Sequence, residues 1–149
     1  MRKLSVLLLI SVSFFVTPSF SQGGRDFRQK FEQGNLLILE QFYDTALLVF
    51  LDLHKMDTGN ANVNYKVGFL YLQSTSEKLK AIPYLERASR NITRKYMEFE
   101  PTEKQAPVLA HYYLAQAYHL DYRFDDAISY FEKYKALVNQ KDADALKEI

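Results

Sequence analysis

Three histidines and two groups of carboxylates are the residues of this 149-residue chain whose types lend themselves to chemistry. Neutral imidazoles bind metal ions and move protons near neutral pH, and paired carboxylates divide acid and base roles between them. Their spacing argues against both uses. His111 and His119 stand eight apart, which on a helix sets them about 80° around the axis and two turns along it, too far to share one ion. His54 belongs to another part of the chain. Asp125 and Asp126, and Glu98, Glu100 and Glu103, read as acids that a helix N-terminus favours through its dipole. No Ser/His/Asp grouping, phosphate loop or glycine-rich fingerprint occurs. With no cysteine there is no disulfide, thiolate ligand or cysteine nucleophile. The expectation is a non-catalytic chain without metal or cofactor.

The elements that position these residues are helices. Leu114, Ala115 and Tyr118 fall on one side of a first helix, and Ala127, Phe131 and Tyr134 recur at i, i+4 and i+7 on a second. Asp121 to Asp125 supply a polar break between them of the length an antiparallel helix pair needs. One pair cannot bury its own apolar faces, and two further copies stand upstream. In the first, Gly34 and Leu37 precede Ala46, Phe50 and Leu53; in the second, Val67, Gly68 and Tyr71 precede Ala81, Leu85 and Ala88. Small residues at Gly34, Gly68 and Ala115, facing Ala46, Ala81 and Ala127, let paired helices approach closely.

Local signals agree with this division. Gly59 is suited to a left-handed turn between the first two copies and Asn60 to a helix cap. Ser74 to Glu77 resembles a capping box. Pro83 requires its helix to begin near Ala81 or to bend. Ala46 and Ala81 are 35 apart, whereas Ala81 and Ala127 are 46 apart. The excess, between Asn91 and Gln105, reads as a trailing helix extended through about Met97, then a loop ending at an acid-rich helix start. The expected divisions are 27–60, 61–97 and 108–141 for the repeats, with an inserted loop at 98–107.

Ahead of them, Arg2 and Lys3 precede thirteen residues, Leu4 to Val16, that are apolar apart from three Ser, then small residues at Ser19 and Ser21. This is the layout of a cleavable signal peptide over 1–21. Its apolar run rises about 20 Å as a helix, short of the roughly 30 Å membrane core. Removing Arg2 and Lys3 from the 19 basic residues leaves 17 against 18 acidic ones, so neither a nucleic-acid surface nor a polybasic membrane patch is indicated. Apolar residues at 48% and eleven each of Tyr and Phe provide ample material for one core.

A leading-helix Leu, Gly or Ala, then Tyr, with Ala and Phe on the trailing helix at a period near 34, resembles the tetratricopeptide repeat. The likeness covers Phe27 to about Asn139 and is best in the third copy, with His111 where the family often has Trp. Gln33, Leu85 and Thr58 depart from the usual Leu, Phe and Pro. The resemblance implies an all-α helix-turn-helix solenoid of about three repeats that binds a peptide or protein on its concave face. Mapped onto this chain, that face presents Arg28, Phe31, Asn35 and Ile38, then Asn62, Tyr65, Phe69 and Leu72, then Leu109, Tyr112, Gln116 and His119. Some family members grip a terminal carboxylate with Lys and Asn, a pattern that only Arg28, Asn35 and Asn62 approximate; an apolar or aromatic peptide suits the face better. Several of these residues could equally pack against an additional helix.

The first two copies also resemble the N-terminal repeats of Gram-negative envelope proteins that carry a β-propeller and a C-terminal OmpA-type domain, some of them associated with type IX secretion. That likeness implies a periplasmic or outer-membrane-associated scaffold, with 142–149 as the start of a further, truncated helix. The competing expectation is a structural spacer that packs against other domains of its own chain and has no ligand of its own. An open terminal face also implies self-association of this piece.

Overall fold

The computed structural model describes residues 20–138. Nearly all of the expected leader, and the expected helix start at 142–149, lie outside these residues. The chain is all-α: α1 (Phe20–Leu39), α2 (Tyr43–Met56), α3 (Ala61–Gln73), α4 (Ala81–Ala88), α5 (Leu109–Leu120) and α6 (Phe124–Leu137). α1 packs on α2, α3 on α4 and α5 on α6, while α2–α3 and α4–α5 contacts join the pairs in a row.

In the first two pairs the small residue of the leading helix lies against a large one. A Cβ on Gly34 would lie 2.6 Å from Cε2 of Phe50, and one on Gly68 would lie 2.4 Å from Cγ of Leu85. Each glycine is therefore the seat of the large residue one turn beyond the alanine expected to face it. Phe50, Leu85 and the alanines at 46 and 81 are fully buried, and Ala115 and Ala127 are buried in the third pair. Phe131, the third-pair counterpart of Phe50 and Leu85, is only half-buried.

The first and third pairs turn in the same way. Gln41 and Tyr122 take left-handed φ values of 62° and 59°. In each, the next residue's N–H reaches back five residues, Phe42 to Leu37 and Arg123 to Tyr118, both at 2.9 Å. This closes the preceding helix in a Schellman geometry without glycine. The expected left-handed Gly59 is not found, since none of the described glycines has positive φ. Asn60 does cap α3, its side chain accepting from Val63 N at 3.1 Å. Asn64 donates to the carbonyls of Thr58 and Asn60 and fixes the same turn.

The second pair has a longer connection. Ser74 Oγ accepts from the N–H groups of Ser76 and Glu77, so the capping-box residues close a turn rather than open α4. A 3-10 turn over Lys78–Lys80 follows, and α4 starts at Ala81, leaving Pro83 in the first turn, where a missing N–H costs no helical bond.

The expected run of the trailing helix to Met97 is corrected: α4 stops at Ala88. Ser89 bonds the Glu86 carbonyl through its hydroxyl, the kind of local competition that disfavours further helix. β1 (Ile92–Thr93) then pairs in parallel with β2 (Ala106–Pro107), and Asn91 O accepts from Ala106 N at 2.9 Å. Residues 94–105 fold back over the start of α3, where Ala61 N donates to Lys104 O at 3.0 Å. The expected acid-rich start of α5 is absent from its first turn, because Glu98, Glu100 and Glu103 belong to this strap. With the strap on one side and α2, α4 and α5 on others, eleven of the thirteen residues of α3 are buried.

Candidate functional site

The twelve residues expected on one face divide into a covered set and an open set. Phe31 is fully buried and meets Phe50 edge-on at 5.9 Å. Asn35 is buried and donates to the Phe31 carbonyl at 3.0 Å. Asn62 accepts from Tyr96 OH at 2.5 Å and donates to Glu103 O at 3.3 Å. Tyr65, 8% exposed, lies against Tyr96 and Tyr113 with ring centroids about 6 Å apart. These four of the twelve sequence-selected residues are thus engaged within the chain itself. Helical spacing placed them on one face, but it carried no information about the strap that meets Asn62 and Tyr65, or about Phe31 packing onto α2.

Arg28 remains exposed and, with Phe27, Asp57, Pro101 and Lys104, borders a shallow 310 Å³ cleft between α1 and the strap. Ile38 and Leu109 are half-buried. Phe69 is held between Tyr43 at 6.1 Å and Tyr113 at 5.4 Å, and Tyr112 packs on Phe131 and Tyr134.

An open groove of about 450 Å³ lies where the C-terminal ends of α3 and α5 approach α6. Leu72, Leu120 and Phe131 give it apolar walls, while Gln73, Gln116, His119 and Lys78 give it polar ones. Leu72, itself buried, comes from α3, and Gln116 and His119 come from α5. Lys78, on the 3-10 turn, is the cation of this lining and was not legible as a site residue. The insertion of that turn between α3 and α4 brings it to the groove.

The histidines occupy three separate environments. His54 meets Tyr84 edge-on at 5.1 Å, and burial lowers its pKa, helped by nearby Arg87. His111 is buried with Nε2 3.4 Å from Ser89 O; burial lowers its pKa against the opposing pull of that carbonyl. His119 is exposed beside Phe124. Among the described residues no three side chains of His, Asp or Glu converge as a metal-binding group.

Lys66 was missed altogether. Its side chain is 2% exposed, with Nζ 5.8 Å from the ring centres of Phe31 and Phe50 and 3.7 Å from a carboxylate oxygen of Glu98. Burial pulls its pKa from 10.5 down to about 8, against the opposing pull of Glu98. Tyr96 is pushed up chiefly by burial, with the charges of Glu98 and Glu103 adding to it. The available signal was Lys66 standing one turn after Asn62 on a helix that is otherwise apolar and amide on that side.

Neither a protein-family model nor a curated protein matches the chain.

Proposed function

We propose that the chain is a non-catalytic interaction scaffold, a tetratricopeptide-like array of helix pairs that takes a peptide or protein segment into the groove between α3, α5 and α6. The convergence of Leu72, Gln116, His119 and Phe131 on one 450 Å³ groove carries this reading. A few polar groups around an apolar floor are the pattern of a recognition groove. The repeat reading draws support from the turns at Gln41 and Tyr122, which lie at the same place in the first and third copies. The leader-like N-terminus and the likeness to envelope proteins support an exported protein, periplasmic or outer-membrane-associated. No helix among the described residues is long and apolar enough to cross a membrane.

The test is a photo-crosslinking amino acid placed in turn at Gln116 and at exposed Glu132 in the envelope of a producing cell. The partner identified is then purified and titrated against His119→Ala and Lys78→Glu chains. Crosslinking at Gln116, followed by at least tenfold weaker binding of both variants, supports the groove. Crosslinks confined to Glu132 on the outer side of α6, with unchanged titrations, refute it.

One observation favours a second reading, the structural spacer. Phe124 and Ile128 on α6 are 49% and 56% exposed, whereas their first-pair counterparts Tyr43 and Leu47 pack into the core, Tyr43 edge-on to Phe69 of α3. A further domain of the same chain, or a second copy, would cover this face. Sedimentation of the parent chain and an Ile128→Glu variant tests the second copy. A dimer that the substitution dissolves supports self-association, and a monomer in both refutes it.

A further inference from the structure

A buried ammonium loses its hydration, and one partly exposed carboxylate does not replace it, so Lys66 is not explained by stability. Its geometry suggests another role. Glu98 is its ion partner, and Glu98 sits at the tip of the strap between Met97 and Phe99, both 57% exposed. The flanks of the strap are tied down separately, by β1–β2 pairing, by Asn91 Oδ1 with Gln105 Nε2, and by Lys104 with Asp57. The middle is joined to α3 by Tyr96 on Asn62 and by Glu98 on Lys66. Beneath that middle lies Tyr65, whose ring continues through Tyr113 to Phe69 along the inner face.

We infer that residues 94–103 form a built-in lid over the first half of the inner groove, latched to α3 by Glu98 on the buried Lys66. The lid's regulatory effect rests on the groove reading above, but the latch itself is independent of any partner. With the latch closed, a partner segment reaches only the open end at Leu72, Gln116 and Phe131. With it open, the aromatic row from Tyr65 to Phe69 extends the groove. The flanks act as fixed hinges, so release of the ion pair leaves Tyr96 on Asn62 as the one remaining side-chain tie described for the middle and loosens it without unfolding the helix pairs.

Lys66→Met and Glu98→Gln each remove the ion pair but have opposite effects on the core. Met suits the apolar surroundings of Phe31 and Phe50, whereas Gln leaves Lys66 buried without its partner. Amide exchange followed by NMR reads the lid at Glu100 and Glu103, whose N–H groups are held by the carbonyls of Met97 and Glu100. Core amides of α2 and α5 give the global reference. Both variants should exchange about tenfold faster at the lid, while core exchange slows in Lys66→Met and quickens in Glu98→Gln. Acetylation of Tyr65 by N-acetylimidazole, mapped by mass spectrometry, should quicken by a similar factor in both. Lid amides that keep the parent rate, or that follow the core amides in each variant, overturn the latch. Quicker lid exchange with unchanged Tyr65 acetylation overturns its role as a cover. If the latch fails while crosslinking at Gln116 persists, the groove reading stands; if crosslinking fails while the lid responds, the latch stands alone.

Discussion

Replacing Lys66 by Met should stabilise the protein at neutral pH. At about 1.4 kcal/mol per pKa unit, the fall from 10.5 to about 8 corresponds to about 3 kcal/mol of unfavourable burial of the charged form. Its side chain is 2% exposed, so solvent screening does little to reduce this figure. Cation–π attraction to Phe31 and Phe50 would offset about 2 kcal/mol at a desolvated site, but at 5.8 Å both rings lie near the limit of its reach and the offset falls to about 1 kcal/mol, a contact that a methionine sulfur regains. The folded-state pKa is depressed, so the unfolded chain binds more protons between pH 8 and 10.5, and the parent's stability rises through that window. The advantage of Lys66→Met is therefore full below about pH 8 and disappears above about 10.5. Thermal unfolding at pH 7 should move up by about 8 °C for a domain of this size. Melting both proteins from pH 7 to 10.5 checks the sign and the window. A variant no more stable than the parent at pH 7 would show that the buried charge is a net stabiliser. A constant advantage across the range would assign the effect to volume instead of charge.

Gly68→Ala should lose about 1–3 kcal/mol, because the new methyl meets the branch of fully buried Leu85; an unchanged urea midpoint would mean that the α3–α4 contact is looser than described. Tyr122→Gly should gain about 1 kcal/mol by relieving the left-handed backbone at an 81% exposed position, read as a higher melting temperature. Phe50→Ala should cost about 3–5 kcal/mol. Phe131→Ala, at the same place in a half-buried setting, should cost clearly less, and equal losses in denaturant melts would indicate that the third pair is covered in solution.

The helical class, the pairing and the close approaches at Gly34 and Gly68 were legible because each depends on side chains three or four residues apart. Asn60 was legible as a cap for the same reason, its bond to Val63 spanning one turn. Breaks were expected near Gln41 and across Asp121 to Asp125, but not the left-handed backbone at Gln41 and Tyr122, since neither residue type ordinarily signals it. Of the twelve residues expected on the binding face, Leu72, Gln116 and His119 line one groove. Lys78 was invisible because a 3-10 turn, not helix periodicity, delivers it.

The chain's own spacing determined that apolar helical faces recur, with equivalent alanines 35 and then 46 residues apart, and must be stacked to be buried. Only the tertiary structure decided where the insertion goes. Tyr96 meets Asn62 across 34 residues, and Ala61 N meets the Lys104 carbonyl across a still longer separation. Such bonds follow from how the chain closes on itself, which no local periodicity encodes. That closure covers Asn62 and Tyr65 of the expected face, leaves a groove beside Gln116 and His119, and places Lys66 between the rings of Phe31 and Phe50.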